Sequence, residues 1–176
     1  VMVERNDNNM EMVNVRHILL KVDTSSLDSK SEKYDELLKV LVDTSASDAQ
    51  ALLDEWKSGE ATAESFGKMA NEKSADTGSN TNGGLYTNVG KGQMVDQFND
   101  WIFAEGRQVG DTGIIFVNEE GYYTGHHIMY FDGWGETPYW QIEVDNAMRS
   151  EDYSEWYTDL TSDMTAEELS GMKYVG

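Results

Sequence analysis

VNVRHILLKV, residues 13–22, is the stretch from which the rest of the chain is read. It is rich in β-branched residues, the composition of a strand. Strand alternation sets Val13, Val15, His17, Leu19 and Lys21 on one face, which puts a histidine in an otherwise largely apolar row. DTSSLDSK at 23–30 is turn-forming and closes the strand. Upstream, residues 1–12 (VMVERNDNNMEM) are polar and Asn-rich without a period, and read as a tail or the end of a linker.

Downstream, the period changes. Tyr34, Leu37, Leu38 and Leu41 follow helical spacing over 31–43. Ala51, Leu52, Leu53 and Trp56 do so over 47–58, with Ser47 in the N-cap place and Gly59 as a stop. Thr62 caps a third helix whose apolar stripe is Phe66, Met69 and Ala70. SADTGSNTNGG at 74–84 has no apolar residue beyond Ala75 and is expected to be an exposed loop. Met94, Phe98, Trp101 and Ile102 predict a short helix over 94–104. GIIFV (113–117) and YYTGHHIMYF (122–131) read as strands, with Asn118 to Gly121 as the hairpin connection. Beyond Pro138 two apolar-spaced segments, WQIEVDNAMRS and DYSEWYTDLTSDM, turn helical again. A lone strand followed much later by a hairpin predicts an α+β domain with a mostly antiparallel sheet.

Composition narrows the chemistry. Thirteen Lys and Arg against 33 Asp and Glu give a formal charge of −20 over 176 residues. Such a surface repels phosphate backbones and anionic headgroups, so nucleic acid is excluded as a partner. With no cysteine there is no disulfide framework, thiol nucleophile or Cys zinc site. No run of 18 apolar residues is present, so no membrane span is expected. The chain starts at Val1, and any targeting or anchoring segment is expected upstream of it.

Three histidines, His17, His126 and His127, are the candidate ring bases. His126 and His127 are adjacent on a strand and point to opposite faces, so one at most shares the face of His17. That also makes them a poor metal pair. DTGSNTNG, from Asp76, does not meet the EF-hand spacing: position 3 is Gly78, and Gly83 falls at position 8. GKGQMV (90–95) has Val95 where a dinucleotide fingerprint needs its third glycine, and no G-x-S-x-G elbow exists.

Five segments in order carry a resemblance: VRHILLK at 15–21, ESFGKMANEKSAD at 64–76, GG at 83–84, GKGQMVDQF at 90–98 and GHHIMYF at 125–131. Together they resemble the parvulin family of peptidyl-prolyl cis/trans isomerases over roughly residues 13–133, most of all the extracytoplasmic foldases of Gram-positive bacteria. The resemblance implies a twisted four-stranded antiparallel sheet surrounded by about four helices, with the first and last strands side by side in the centre. It divides the chain into a tail (1–12), an isomerase domain (13–134) and a C-terminal helical extension (135–176). The family's polar cluster falls on His17, Asp76, Thr124 and His127, and its proline pocket on Met94 and Phe98. Tyr86 stands where the family usually has a leucine of the pocket wall. The hairpin before Thr124 is longer than usual, which leaves Tyr122 and Tyr123 without an assigned role.

The activity so implied is isomerisation of Xaa-Pro bonds in unfolded or secreted proteins, by non-covalent stabilisation of the twisted amide. His17 and His127 form a bonded pair whose tautomers Thr124 and Asp76 fix. It needs neither metal nor cofactor, because no bond to carbon changes. A covalent route is closed, since Asp76 occupies the place that is cysteine in some relatives. The partners are proline-containing unfolded polypeptides, without phosphopeptide selectivity, because DTSSLD after Lys21 lacks the arginines of the phosphate-specific members. Location is expected to be extracellular or at the cell surface, with membrane contact through a segment outside this chain. The alternative is a non-catalytic chaperone or peptide-binding module on the same fold. A weaker one is a surface-structural domain using its polar loop for calcium.

Overall fold

One strand organises the sheet. β1 (Val13–Lys21) pairs antiparallel on one edge with β2 (Leu85–Val89) and on the other with β4 (Tyr123–Trp134), and β3 (Thr112–Glu119) completes the order β2-β1-β4-β3. The first and last strands therefore lie side by side in the centre, as expected. The computed structural model describes residues 10–119, 123–162 and 164. Residues 120–122, which hold Tyr122 and the hairpin tip, lie outside them, as does most of the 1–12 tail. The chain divides into two compact units between Tyr139 and Trp140.

The alternation read in β1 sorts the core of the first unit into two faces. Ile18 turns one way, with Ile128 and Tyr130 of β4. They pack against Ala49, Leu53 and Trp56 of α1 (Tyr34–Ser58) and Phe66 and Ala70 of α2 (Ala63–Lys73). Phe66, Trp56 and Tyr130 form a ring triad with centroids 5.3–5.7 Å apart. Val13 and Val15 turn the other way, with Met129 and Phe131, and meet Phe98 and Ile102 of α3 (Asp96–Ile102). The pattern reading passed over β2, because LYTNV shows no alternation and all but Val89 stay at least partly exposed.

Two expected helices at 31–43 and 47–58 are one. Ser47 is not a cap: its hydroxyl donates to the Asp43 carbonyl one turn back, as Thr44 does to Val40. Thr44 and Ser47 thus satisfy their hydroxyls inside the helix, Ser45 donates across to the Leu20 carbonyl, and nothing interrupts the run. The buried stripe is Ser45, Ala49, Leu53 and Trp56, while Leu37 remains exposed. Gly59 ends α1 with its N–H on the Trp56 carbonyl, and Thr62 caps α2 in a reciprocal box with Ser65.

The polar segment 74–84 departs most from expectation. It is exposed only in part, at Ala75, Thr77, Gly78, Thr81 and Asn82, and folds against β1 with Ser79 fully buried and Ser74, Gly83 and Gly84 buried as well. Ser74 Oγ accepts from Leu19 N, Ala75 N donates to Leu19 O, and His17 N donates to Gly84 O. Arg16, ion-paired to Asp132, also donates to the Gly83 carbonyl. Gly84 has φ +68°, and a Cβ there would run into the His17 carbonyl, so only glycine serves. A polar segment can be buried when every group finds a partner, and here β1 supplies them.

The second unit is described by its helix, α4 (Tyr139–Thr161), from Trp140 onward. The two segments expected after Pro138 are one continuous helix. Its large apolar residues, among them Trp140, Val144, Met148, Trp156 and Leu160, are exposed, and Tyr153 lies against both Trp156 and Tyr157.

Candidate active site

His17 is opposite Met129, and Leu19 is opposite His127, in the β1–β4 ladder. The two imidazoles are thus diagonal neighbours on one face, within reach of each other. Their rings are nearly parallel, 18° apart with centroids at 5.0 Å, and the two Nδ1 atoms are 2.8 Å apart. His126 points to the opposite face, where its Nδ1 meets Ser45 Oγ of α1 at 3.1 Å. Burial lowers its imidazole below the ordinary value.

The inward-folded segment supplies the carboxylate. Asp76 Oδ2 lies 2.9 Å from His17 Nε2, accepts from Tyr86 Oη at 3.0 Å and accepts from Ser79 Oγ, while its Oδ1 accepts from Gly78 N. The His17 hydrogen bond above all, helped by Ser79 and Tyr86, holds the Asp76 carboxyl far below the usual range. Burial and the neighbouring Asp76 charge push the Tyr86 phenol up, so it stays a donor.

The far end of the chain of bonds is Tyr123, whose hydroxyl lies 2.9 Å from His127 Nε2. Burial above all lowers the His127 imidazole to about 3. Where each ring carries a single proton, hydrogen-bond complementarity with an ionised Asp76 admits one arrangement. Asp76 can only accept, so His17 carries its hydrogen on Nε2. His17 Nδ1 is then a lone pair, which His127 Nδ1–H fills. His127 Nε2 accepts in turn from the Tyr123 hydroxyl.

Thr124 does not take the place expected of it. Its hydroxyl donates to Asn118 Oδ1 across the β3–β4 hairpin, at 2.6 Å. Thr124 and His127 are three residues apart on one strand and therefore face opposite ways; Tyr123, four apart, shares the face. That parity is legible in the sequence and singles out Tyr123. Nothing in the sequence marks Ser79, the other residue missed.

The apolar side of the site comes from α3 and the turn before it. Phe98 is buried and meets His17 and His127 edge to face, at 5.5 and 5.8 Å between centroids. With Met94, Val95, Tyr86 and Tyr123 it lines a cavity of about 210 Å³ that also contains His17, Asp76 and His127. Both imidazoles, the carboxylate and the three pocket residues read from the sequence are thus gathered around one notch, and Thr124 alone is outside it.

A protein-family model, the PPIC-type PPIASE domain, matches residues 2–128. The chain belongs to this family of parvulin-type peptidyl-prolyl isomerases. Among solved structures, a peptidylprolyl isomerase (PrsA) from Bacillus anthracis aligns at 20% identity, over 85% of this chain and 53% of that one, with a TM-score of 0.47. The Campylobacter jejuni proteins PEB4 and Cj1289, described as SurA-like chaperones, are represented by a structure at 21% identity, over 91% and 57%, TM-score 0.46. Pin from the archaeon Cenarcheaum symbiosum aligns at 23%, over 76% and 99%, TM-score 0.42. The chain spans about half the length of the PrsA structures it aligns with. No curated protein matches it.

Proposed function

We propose that this domain accelerates cis/trans isomerisation of Xaa-Pro bonds in unfolded polypeptides by binding the twisted amide more tightly than either planar form. The barrier to be lowered is about 18–20 kcal/mol, the cost of losing amide resonance. Unassisted, the bond turns over in ~10–100 s. An acceleration of ~10⁴-fold asks for about 5.5 kcal/mol of differential binding.

The observation that carries the reading is the pairing of an apolar notch with a fixed polar wall. Met94 and Phe98 hold the prolyl ring while the preceding carbonyl swings across the imidazoles. At the twisted geometry the nitrogen regains its lone pair and the carbonyl oxygen loses the negative charge that resonance gave it. The ionised Asp76 keeps that side of the notch electronegative, which disfavours the planar resonance form. His17 and His127 transmit this charge through bonds whose direction Tyr123 and Asp76 fix. No step breaks a bond to carbon, so none requires a nucleophile.

The substrates in this reading are proline-containing segments of unfolded or secreted chains, met outside the cytoplasm, as for the extracytoplasmic foldases whose segments the sequence resembles. The excess of acidic residues favours cationic clients. A protease-coupled assay on an Xaa-Pro tetrapeptide tests it, with His17→Ala and His127→Ala beside the wild type. Turnover at micromolar wild-type protein, lost in both variants, is the expected result; an inert wild type ends the reading. A second reading, a peptide-binding chaperone without catalysis, is favoured by the exposed Trp140, Val144, Met148 and Trp156 of α4. Suppressed client aggregation without turnover would select it.

A further inference from the structure

A second cavity, larger than the notch, opens elsewhere on the first unit. It lies at the carboxyl end of β1, encloses about 620 Å³, and is lined by Leu19, Leu20, Val22, Leu41, Leu52 and Ala75 among others. We propose that it is a second subsite of the isomerase, which receives an apolar side chain flanking the proline in the same client chain. This rests on the isomerase reading above and gives that site a preference.

Three observations support it. First, the two cavities adjoin: Leu19 lines both, and Ala75, in the larger one, is next to Asp76, in the smaller. The notch is on the sheet face that bears His17 and the cavity on the face that α1 covers; the exposed Ala75, its N–H on the Leu19 carbonyl, is the edge between them, over which a client chain would pass to reach both. Second, part of the floor stays open. Leu41 belongs to neither core cluster, and Leu20 and Leu52, packed along the edge of one, remain only half-buried. Third, the exposed Lys21, Lys73 and Asp48 also border it, giving a polar mouth over an apolar floor, the makeup of a side-chain pocket.

The occupant is thus a leucine- or phenylalanine-sized side chain on the polypeptide that carries the proline. Alanine-based Xaa-Pro peptides with a single leucine, moved through successive positions on either side of proline, test this in the protease-coupled assay. One spacing is expected to lower KM about tenfold against the all-alanine peptide, the scale of burying one such side chain. Leu41→Glu and Ala51→Glu, both on the α1 wall, should remove that gain and leave the all-alanine rate unchanged. Equal KM at every spacing, or a gain that survives both variants, overturns the proposal.

Binding is read separately by amide chemical shifts of α1 on titration with the best leucine peptide and the alanine one. This arm stands even if no peptide is turned over, a result that would sink the isomerase reading alone. Shifts in residues 41–52 with the leucine peptide only are expected. Identical shifts with both peptides, or shifts that follow protein concentration and so hand the cavity to a second copy, count against it.

Discussion

His17 Nε2 and Asp76 Oδ2 lie 2.9 Å apart although the aspartate sits in a segment with almost no apolar residues of its own. The aspartate is held by what β1 offers to that segment: the Leu19 backbone on one side, the Arg16 guanidinium on the other. Asp76 in turn fixes which nitrogen of His17 bears the proton, and through it the whole row of bonds to Tyr123.

Replacing Asp76 should therefore cost activity far more than stability. For Asp76→Ala, kcat/KM on an Xaa-Pro tetrapeptide is expected to fall about 100-fold, the order of removing one preorganised electrostatic contact. The melting temperature should move by only a few degrees. Unchanged turnover in a folded variant would remove Asp76 from the mechanism.

Tyr123→Phe removes one hydroxyl and leaves the ring. His127 Nε2 loses that donor, so its tautomer is no longer set from the β4 side. A roughly tenfold fall in kcat/KM is expected, with a displaced ¹⁵N resonance of the His127 ring. Thr124→Val, by contrast, should leave both readings in place, because Thr124 bonds to Asn118.

Acid should destabilise the fold in a window set by His127. Its imidazole is held at about 3 when folded and returns to the ordinary value of 6.5 when unfolded. Between those values the unfolded chain binds the extra proton, so stability is full above pH 6.5 and declines as pH falls. The slope from one such group is at most about 1.4 kcal/mol per pH unit. Asp76, also depressed, adds loss of the same sign at the acid end. Urea midpoints measured from pH 7 to pH 4 should fall more steeply for wild type than for His127→Gln; parallel curves would contradict this assignment.

Met94 and Phe98 separate pocket from core. Phe98 is 3% exposed and packs with Val13, Met129 and Ile102, so Phe98→Ala should cost about 3–5 kcal/mol of stability as well as turnover. Met94 is half-buried before the helix. Met94→Ala should raise KM several-fold while the thermal melt shifts little; a large melting loss instead would make it a core residue.

The parts of this fold legible in the sequence are those written by periodicity. Val13 to Val22 announced a strand, Thr62 a helix start, and Phe98 with Ile102 the buried face of α3; that the strand is central came only with the family resemblance. The parity of Tyr123 with His127 was equally present and would have displaced Thr124. Other features were not legible because they depend on partners distant in the chain. Ser79 gives no local sign of burial: its hydrogen-bond partners are His17, 62 residues away, and Asp76. β2 is a strand because β1 presents an edge to it, not because LYTNV alternates. The join across Thr44 to Ser47 was hidden by hydroxyl residues that favour caps in one setting and bond back along a helix in another.

The two imidazoles ride on neighbouring strands but are 110 positions apart in the chain. Synthesis delivers the first of them long before the second, so a nascent chain has no working centre until nearly the whole unit has emerged. Loop closure over that span is among the slower events of such a topology. The only proline in the sequence, Pro138, lies after both rings. Assembly of the sheet from Val13 to Trp134 therefore never waits on the kind of bond the finished molecule is proposed to turn.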